Sequence, residues 1–163
     1  MDKKDILDSI QKKAVEVQCR DDICSRSTMA GLKSYFEFIP EDMVTASLSL
    51  CGGAGISSGS CGAYCSGLLA IGLKFNATME EESQDRSILG KGLNKSIAFR
   101  DAFLKEFGTT QCPQLHKLLF GRSFYFTDSQ QNEAFMNIPD HAEKCSIVVG
   151  KAARMAAEII LEG

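Results

Sequence analysis

Helical periodicity along the whole chain is the feature that most restricts its fold. Apolar residues recur every three or four positions at Ile6, Ile10, Ala14 and Val17, and the same spacing returns from Cys145 to the C-terminus. No segment alternates polar and apolar residues at a period of two. The sequence therefore predicts an all-α fold. We expect a single compact helical domain of about five to six helices over residues 1–163, with a glycine-rich loop before a central helix.

Capping residues and prolines mark where the helices are expected to begin. The segment after Ser60 is expected to be helical over residues 61–75, and the helix after Thr78 to reach Phe107. Residues 120–137 show the weakest periodicity and are expected to be irregular. The predicted helix starts are Pro40, Ser60, Thr78 (a capping box with Glu81), Cys112–Pro113 and Asp140 (a capping box with Glu143).

Composition and charge exclude several classes of partner. The chain has 44% hydrophobic and 24% charged residues, a net charge of −3 and no cluster of Lys and Arg. A nucleic acid or an anionic membrane surface is therefore not expected as a partner. The N-terminal residues are charged where a signal peptide needs an apolar core, and the apolar run 67–73 is too short to span a bilayer. We expect a soluble, cytoplasmic protein with no membrane contact.

The chain contains seven cysteines, an odd number and a high one for this length. Without a secretion signal, metal ligands, redox thiols or buried small side chains explain them better than a disulfide framework. No CxxC pair occurs, which argues against a thioredoxin-like motif. Cys19 and Cys51 lie at predicted helix ends with no partner in spacing and are interpreted as core residues.

Cys61 and Cys65 lie in the stretch SSGSCGAYCSG, at residues 57–67. Cys61 lies at a predicted helix start, where free N–H groups and the helix dipole favour a thiolate, so we expect it to be the most acidic thiol. Cys65 follows one turn later on the same face. The same stretch also contains two rows of small residues spaced by four, which favour close helix packing and a homodimer seam as an alternative interpretation: Gly59, Ala63 and Gly67, and Gly62, Ser66 and Ala70.

Both histidines lie one helical turn from a cysteine. His116 follows Cys112, and His141 precedes Cys145. This spacing is compatible with soft metal ligation, in which zinc is held by thiolates and one imidazole. Glycines at the loop and at the helix start form a candidate binding segment for an anion or cofactor: Gly53, Gly55, Gly59 and Gly62.

Three stretches together resemble a family of redox-active proteins named for its C…CGAxxG…C…C pattern. They are GGAGISSGSCGAYCSGLLAIGLKFN, FLKEFGTTQCPQL and HAEKCSIVVGKAARMAAEIILE, and the likeness extends from about Arg26 to Glu162. The resemblance implies a small helical domain whose four family cysteines form a redox or metal centre. Cys61, Cys112 and Cys145 match the second, third and fourth of these cysteines.

Two positions depart from the pattern of that family. Ser66 stands where the motif has its second glycine. The first family cysteine opens the helix that reads RSTMAGLKSYF here, which places Ser27 at that position. Cys24, one turn upstream, or Cys65 is a candidate to supply the fourth thiol.

These observations predict a cysteine-based redox or electron-transfer protein. The clustered thiols of Cys61, Cys112 and Cys145, with Cys24 or Cys65, would hold an iron–sulfur cluster or zinc, or would cycle between dithiol and disulfide. One alternative is a structural or interaction module, a helical homodimer with its cysteines in the core. Another is a small-molecule or anion binder at the GGAG loop. The sequence leaves open which metal is bound, which redox partner is used and whether a reaction is catalysed.

Overall fold

A computed structural model describes residues 2–163 of the chain. Within these residues the fold is all-α, as predicted, but it has nine α-helices rather than five to six, together with two short 3₁₀ turns at Ser47–Leu50 and Arg86–Ile88. No helix in the described part of the chain is both long enough and apolar enough to cross a membrane. The helices are α1 (Lys3–Asp21), α2 (Cys24–Lys33), α3 (Glu41–Ala46), α4 (Gly62–Phe75), α5 (Met79–Gln84), α6 (Leu89–Phe107), α7 (Cys112–Phe120), α8 (Ser129–Met136) and α9 (His141–Leu161).

The helix predicted from Thr78 to Phe107 is divided into α5 and α6. The capping box forms: the Thr78 hydroxyl accepts a hydrogen bond from the Glu81 N–H at 3.2 Å, and the Glu81 carboxylate accepts one from the Thr78 N–H at 2.7 Å. The helix it opens ends at Gln84, because the Asp85 carboxylate accepts a hydrogen bond from the Ser87 N–H at 2.9 Å and starts a new turn. A polar side chain that bonds to the backbone competes with helix continuation.

The segment expected to be irregular contains helix α8. The Asp128 carboxylate caps this helix by accepting hydrogen bonds from the N–H groups of Gln130 and Gln131. Phe135 is the one buried residue of α8, so the helix shows almost no amphipathic pattern in the sequence. The Phe135 side chain nevertheless forms part of the wall of the site described below.

The long terminal helices α1 and α9 pack against each other, and α2 and α4 complete the core. Small residues permit the close approach: a Cβ atom at Gly31 would lie 2.5 Å from the Ala14 Cβ, and one at Gly150 would lie 2.7 Å from Val15. Gly67 likewise packs directly on the Phe99 ring. The small residues of α4 are therefore buried by contacts within the chain. They do not support the predicted homodimer, which stays a prediction.

Residues 51–60 join the 3₁₀ turn to α4 through a series of turns with unusual backbone angles. Consecutive residues 52–56 all have φ between 56° and 82°, in the left-handed region. For Ala54 and Ile56 this conformation costs about 1–2 kcal/mol per residue. Strain of this kind persists only where surrounding contacts enforce it, and it concentrates at functional sites.

A short antiparallel bridge holds the beginnings of α4 and α7 together. Ser60 pairs with Gln111, the Cys61 N–H donates to the Thr110 carbonyl at 2.8 Å, and the Cys112 N–H donates to the Gly59 carbonyl at 2.8 Å. Cys61 and Cys112 are 51 positions apart in the sequence and are brought side by side in this way.

Candidate functional site

One cavity of about 350 Å³ collects most of the thiols of the protein. It lies between the C-terminal end of α1, the start of α2, residues 51–56 and helices α7, α8 and α9. His116 and the side chains of several apolar residues complete its wall. Five cysteines line the cavity: Cys24, Cys51, Cys61, Cys112 and Cys145.

Cys24 opens helix α2 and receives an unusual number of hydrogen bonds at its sulfur. The Cys61 thiol donates to it, and so do the backbone N–H groups of Ser25, Gly52 and Gly62. The hydrogen bond from Cys61, followed by those from the backbone, lowers the pKa of Cys24 below its usual value against the opposing effect of burial. Cys24 is therefore the thiol in this cavity that ionises most easily.

The prediction that Cys61 is the most acidic thiol is wrong. Its interaction with Cys24, burial and the negative charge of Cys24 raise the pKa of Cys61 well above its usual value. Cys61 is the N-cap of α4, as its place at a helix start required, but a single backbone N–H, that of Tyr64, favours its thiolate. When two thiols share one proton, the sulfur with more donors becomes the thiolate.

Gly62 makes the Cys24–Cys61 pair possible by having no side chain. A Cβ atom at this position would lie 2.8 Å from the Cys24 sulfur and 2.6 Å from the Leu50 carbonyl oxygen. Both distances are shorter than van der Waals contact, so the sulfur occupies the space that any other residue would fill. This explains the glycine of the CGA sequence by a contact with a cysteine 38 positions away.

Cys112 and His116 form a second pair on the same cavity, one helical turn apart on α7. The Cys112 sulfur lies 3.6 Å from His116 Nε2, and both residues are buried. Burial, followed by the nearby Cys24 and Cys51, raises the pKa of Cys112 to about 12, and burial lowers the pKa of His116 to about 4. Near neutral pH the pair is therefore a thiol beside a neutral imidazole.

Aromatic rings explain why His116 stays neutral. Phe135 stacks on the imidazole with ring centroids 4.7 Å apart, and the rings of Phe126, Phe120 and Phe124 approach at 5.3, 5.7 and 5.9 Å. Such a wall offers no counter-charge for an imidazolium. The FYF sequence and α8, which periodicity could not place, supply most of it.

Cys145 and Cys51 are the remaining thiols of the cavity. Burial is the main cause that raises the pKa of each, and the negative charge of Cys24 raises both further. Sequence reasoning assigned Cys51 to the core and missed its place at the cavity. The signal available was its position directly before Gly52 and Gly53, where the chain turns into the left-handed segment.

Of the two candidates for the fourth family thiol, Cys24 lines the cavity and Cys65 does not. Cys65 lies outside the cavity lining and its sulfur donates to the Ser60 carbonyl oxygen at 3.9 Å. Helix α2 begins at Cys24, three residues before the buried Ser27, so Cys24 is the cysteine that opens this helix. Ser27 is buried in α2 and does not line the cavity, whereas Cys24 does.

Other candidate residues from the sequence lie away from the thiols. His141 is outside the cavity lining, with Nε2 2.5 Å from Asp22 and Nδ1 2.6 Å from the Ile138 carbonyl oxygen. A Cβ atom at Gly53 would lie 2.5 Å from the Gly59 nitrogen, and Gly55 faces open space. Of the four glycines proposed for binding, Gly62 alone contacts a cavity thiol.

A polar chain that sequence reasoning missed ends at the cavity. Asp22 accepts from His141 through one carboxylate oxygen and from Gln18 Nε2 through the other, at 3.0 Å. Gln18 is 1% exposed, and its Oε1 has no hydrogen-bond partner. Gln18 and Asp22 both line the cavity.

A metal centre was tested against the positions of the side chains. Among residues 2–163, no group of three or more His, Cys, Asp and Glu side chains is placed to hold a metal ion. The five cysteines share a cavity, but they are not such a group among the described residues. The iron–sulfur cluster or zinc ion stays a prediction.

A family model described as "Putative redox-active protein (C_GCAxxG_C_C)" matches residues 23–159. The match begins one residue before Cys24 and includes the other four cysteines of the cavity. No curated protein and no solved structure matches the chain.

Proposed function

The chain belongs to the C_GCAxxG_C_C family, and we propose that its redox chemistry is thiol–disulfide exchange by the pair Cys24 and Cys61. The observation that carries the proposal is that Cys24 and Cys61 line one cavity as neighbours, with the Cys24 sulfur packed against Gly62, the residue next to Cys61. Two neighbouring cysteines, one a thiolate and one a thiol, can serve as the two halves of a dithiol–disulfide couple.

Cys24 performs the first step on a substrate disulfide. Its thiolate attacks one substrate sulfur, forming a mixed disulfide, and the substrate S–S bond breaks to release one substrate thiolate. The lowered pKa makes Cys24 the attacking sulfur near neutral pH, because the thiolate and not the thiol is the nucleophile.

Cys61 completes the exchange. Once Cys24 is in the mixed disulfide it carries no charge, so the largest cause that raises the pKa of Cys61 is removed. The Cys61 sulfur then attacks Cys24 Sγ, closing a Cys24–Cys61 disulfide, while the second substrate sulfur leaves with the Cys61 proton. Two electrons have passed from the protein pair to the substrate disulfide, and a substrate dithiol reverses the steps.

The other cavity thiols remain protonated while Cys24 is ionised. Burial and the charge of Cys24 raise the pKa of Cys51, Cys112 and Cys145, so one thiolate is present at a time. This difference directs a substrate disulfide to Cys24 and suppresses competing disulfides within the cavity.

A redox titration tests the proposal. The anaerobic protein is equilibrated with mixtures of reduced and oxidised glutathione and, for more reducing potentials, of reduced and oxidised dithiothreitol, quenched with an alkylating reagent and weighed by mass spectrometry. We expect two of the seven thiols to be lost together in one two-electron transition. Seven free thiols at every ratio, or iron or zinc whose removal frees Cys24 and Cys61 for alkylation, would overturn it.

A further inference from the structure

The cavity that holds the thiol pair opens to solvent between apolar side chains. We propose that the pair Cys24 and Cys61 exchanges with the disulfides of small thiols and excludes disulfides within proteins, and that Ile56 and Met136 set this limit at the mouth of the cavity. The exchange itself rests on the proposed function. The size limit rests on the geometry of the cavity and of its mouth.

The thiol pair lies on the wall of the cavity and not on the outer surface. Cys61 is 6% exposed, and Cys24 is half-buried. The start of α4 covers one side of the Cys24 sulfur, because a Cβ atom at Gly62 would lie 2.8 Å from it. Both cysteines line the cavity, so the cavity is the route by which a substrate sulfur approaches Cys24.

Ile56 and Met136 stand at the mouth of this cavity. Both line it, and they are also 52% and 54% exposed. A side chain that lines a cavity and also faces solvent lies where the cavity opens. The two residues belong to different parts of the chain, the left-handed segment 52–56 and helix α8. Any substrate that enters from this opening therefore passes both side chains.

The two parts of the chain that border the mouth are tied together through Phe126. The Phe126 N–H donates to the Ser58 hydroxyl at 2.7 Å, and a Cβ atom at Gly52 would lie 3.1 Å from the Phe126 ring. The same ring packs against that of Phe135 on α8, with centroids 5.1 Å apart. Packed contacts of this kind resist displacement, so the mouth keeps its size when a larger substrate approaches.

The volume of the cavity limits what reaches the pair. It is about 350 Å³, at the small end of the range for small-molecule sites, about 300–1,000 Å³. A disulfide within a protein joins two peptide segments whose Cα atoms lie about 5.5–6 Å apart. Both segments would have to pass Ile56 and Met136 for one sulfur to reach Cys24. A disulfide of two small thiols carries no peptide segment and enters whole.

Two uncharged disulfides compare size alone: 2-hydroxyethyl disulfide, and the disulfide dimer of a short uncharged peptide with its cysteine at the centre. The anaerobic full chain is mixed with each probe and quenched with acid, and the oxidation of Cys24 and Cys61 is followed by mass spectrometry. Each rate is divided by the rate of the same probe with N-acetylcysteine, which removes differences in intrinsic reactivity. We expect the normalised rate to be at least about a hundredfold higher for the small disulfide.

Variants at the mouth test which side chains set the limit. Ile56→Ala together with Met136→Ala removes both side chains from the mouth and should lower the ratio of normalised rates at least about tenfold. Met136→Ala alone, a substitution that favours a helix, should lower it by a smaller factor. Leu118→Ala is the matched control, because Leu118 is an exposed apolar residue of α7 that does not line the cavity, and it should leave the ratio unchanged.

A ratio near one in the unchanged protein, or a ratio that persists in the double variant, would overturn the inference. The comparison of the two probes needs no substitution, so it judges the substrate class even if the double variant does not fold. Met136→Ala alone then judges the mouth. Oxidation of the pair by neither probe would remove the proposed exchange itself, whereas equal normalised rates with both probes would remove the size limit alone.

Discussion

Two pairs of side chains on one cavity wall differ in the direction in which the pKa of a buried thiol is shifted. In the pair Cys24 and Cys61, a second thiol and three backbone N–H groups surround the Cys24 sulfur and lower its pKa. In the pair Cys112 and His116, aromatic rings surround the partner imidazole, and burial keeps the thiol protonated and the imidazole neutral. The difference indicates that the number of N–H donors at the sulfur, more than the nearness of a histidine, decides which cysteine has the lowered pKa.

Replacing the attacking sulfur should have the largest effect, and it tests the difference between the two pairs. Cys24→Ser should lower the rate of exchange with a small disulfide by on the order of a thousandfold or more, because the nucleophile is lost. The rate is followed by the release of thiol from 2-hydroxyethyl disulfide, a small linear disulfide. Cys19→Ser, on an exposed cysteine of α1, is the matched control and should keep the rate of the unchanged protein. An active Cys24→Ser variant with an inactive Cys112→Ser variant would reverse the roles of the two pairs.

Alkylation at different pH values sharpens the comparison. A lowered pKa means that the Cys24 thiolate forms as pH rises through a value below the ordinary one, whereas Cys112, with a pKa of about 12, stays a thiol. At pH 7 iodoacetamide should therefore label Cys24 at least about a hundred times faster than Cys112. Peptide mass spectrometry gives both rates, and the urea-unfolded protein, where the two rates should converge, is the reference. Faster labelling of Cys112 or Cys61 in the folded protein would contradict the assignment.

The contact between Gly62 and the Cys24 sulfur is the next target. Gly62→Ala would place a Cβ atom 2.8 Å from that sulfur, so we expect a loss of about 1–3 kcal/mol in the free energy of unfolding. Cys24 should also be alkylated more slowly in the Gly62→Ala variant, because the Gly62 N–H moves away from the Cys24 sulfur. Gly90→Ala on α6, where a Cβ atom meets open space, should leave stability equal or slightly higher. Equal tolerance of both substitutions, by urea unfolding, would mean that the sulfur does not need this glycine.

The two histidines extend the comparison to a smaller effect. Burial opposes a positive charge on His141, but its hydrogen bonds to Ile138 and Asp22 raise its pKa, whereas burial lowers that of His116. A raised pKa in the folded state stabilises the protein below the ordinary histidine pKa, and this contribution is lost as pH rises through the folded value. Urea unfolding at pH 5.5 and pH 9 measures this loss, of about 1 kcal/mol or less, as the difference in pH dependence between the unchanged protein and His141→Gln, because the opposite contribution of His116 is the same in both. A pH dependence that is the same in both proteins would place the titrating group elsewhere.

The sequence predicted the regular parts of the fold and named four of the five cysteines that line the cavity. Helix α1, the capping box at Thr78 and the starts at Cys61 and Cys112 follow from local signals that act within a few residues. The family resemblance is confirmed by the match over residues 23–159. These features depend on periodicity, capping and motif spacing, which a linear sequence displays directly.

The pairing of the thiols could not be read in the same way. Cys24 becomes the thiolate because Gly52 and Gly62 approach it from distant segments, a fact of packing with no local signal. Cys51 lies at a predicted helix end, and the left-handed segment that follows it places it at the cavity. Gln18 lies on a helix face, and its hydrogen bond to Asp22 holds it at the cavity. Helix α8 has one buried residue, so no amphipathic stripe marks it.

The central claim is that Cys24 and Cys61 form one redox couple, and a disulfide map tests it most directly. The protein is oxidised with an excess of oxidised glutathione, the remaining thiols are blocked at low pH, and the linked peptides are identified by mass spectrometry after digestion. The account predicts one disulfide joining Cys24 to Cys61, with Cys51, Cys112 and Cys145 recovered as blocked thiols. A disulfide between Cys112 and Cys145, or between Cys24 and Cys51, would contradict it.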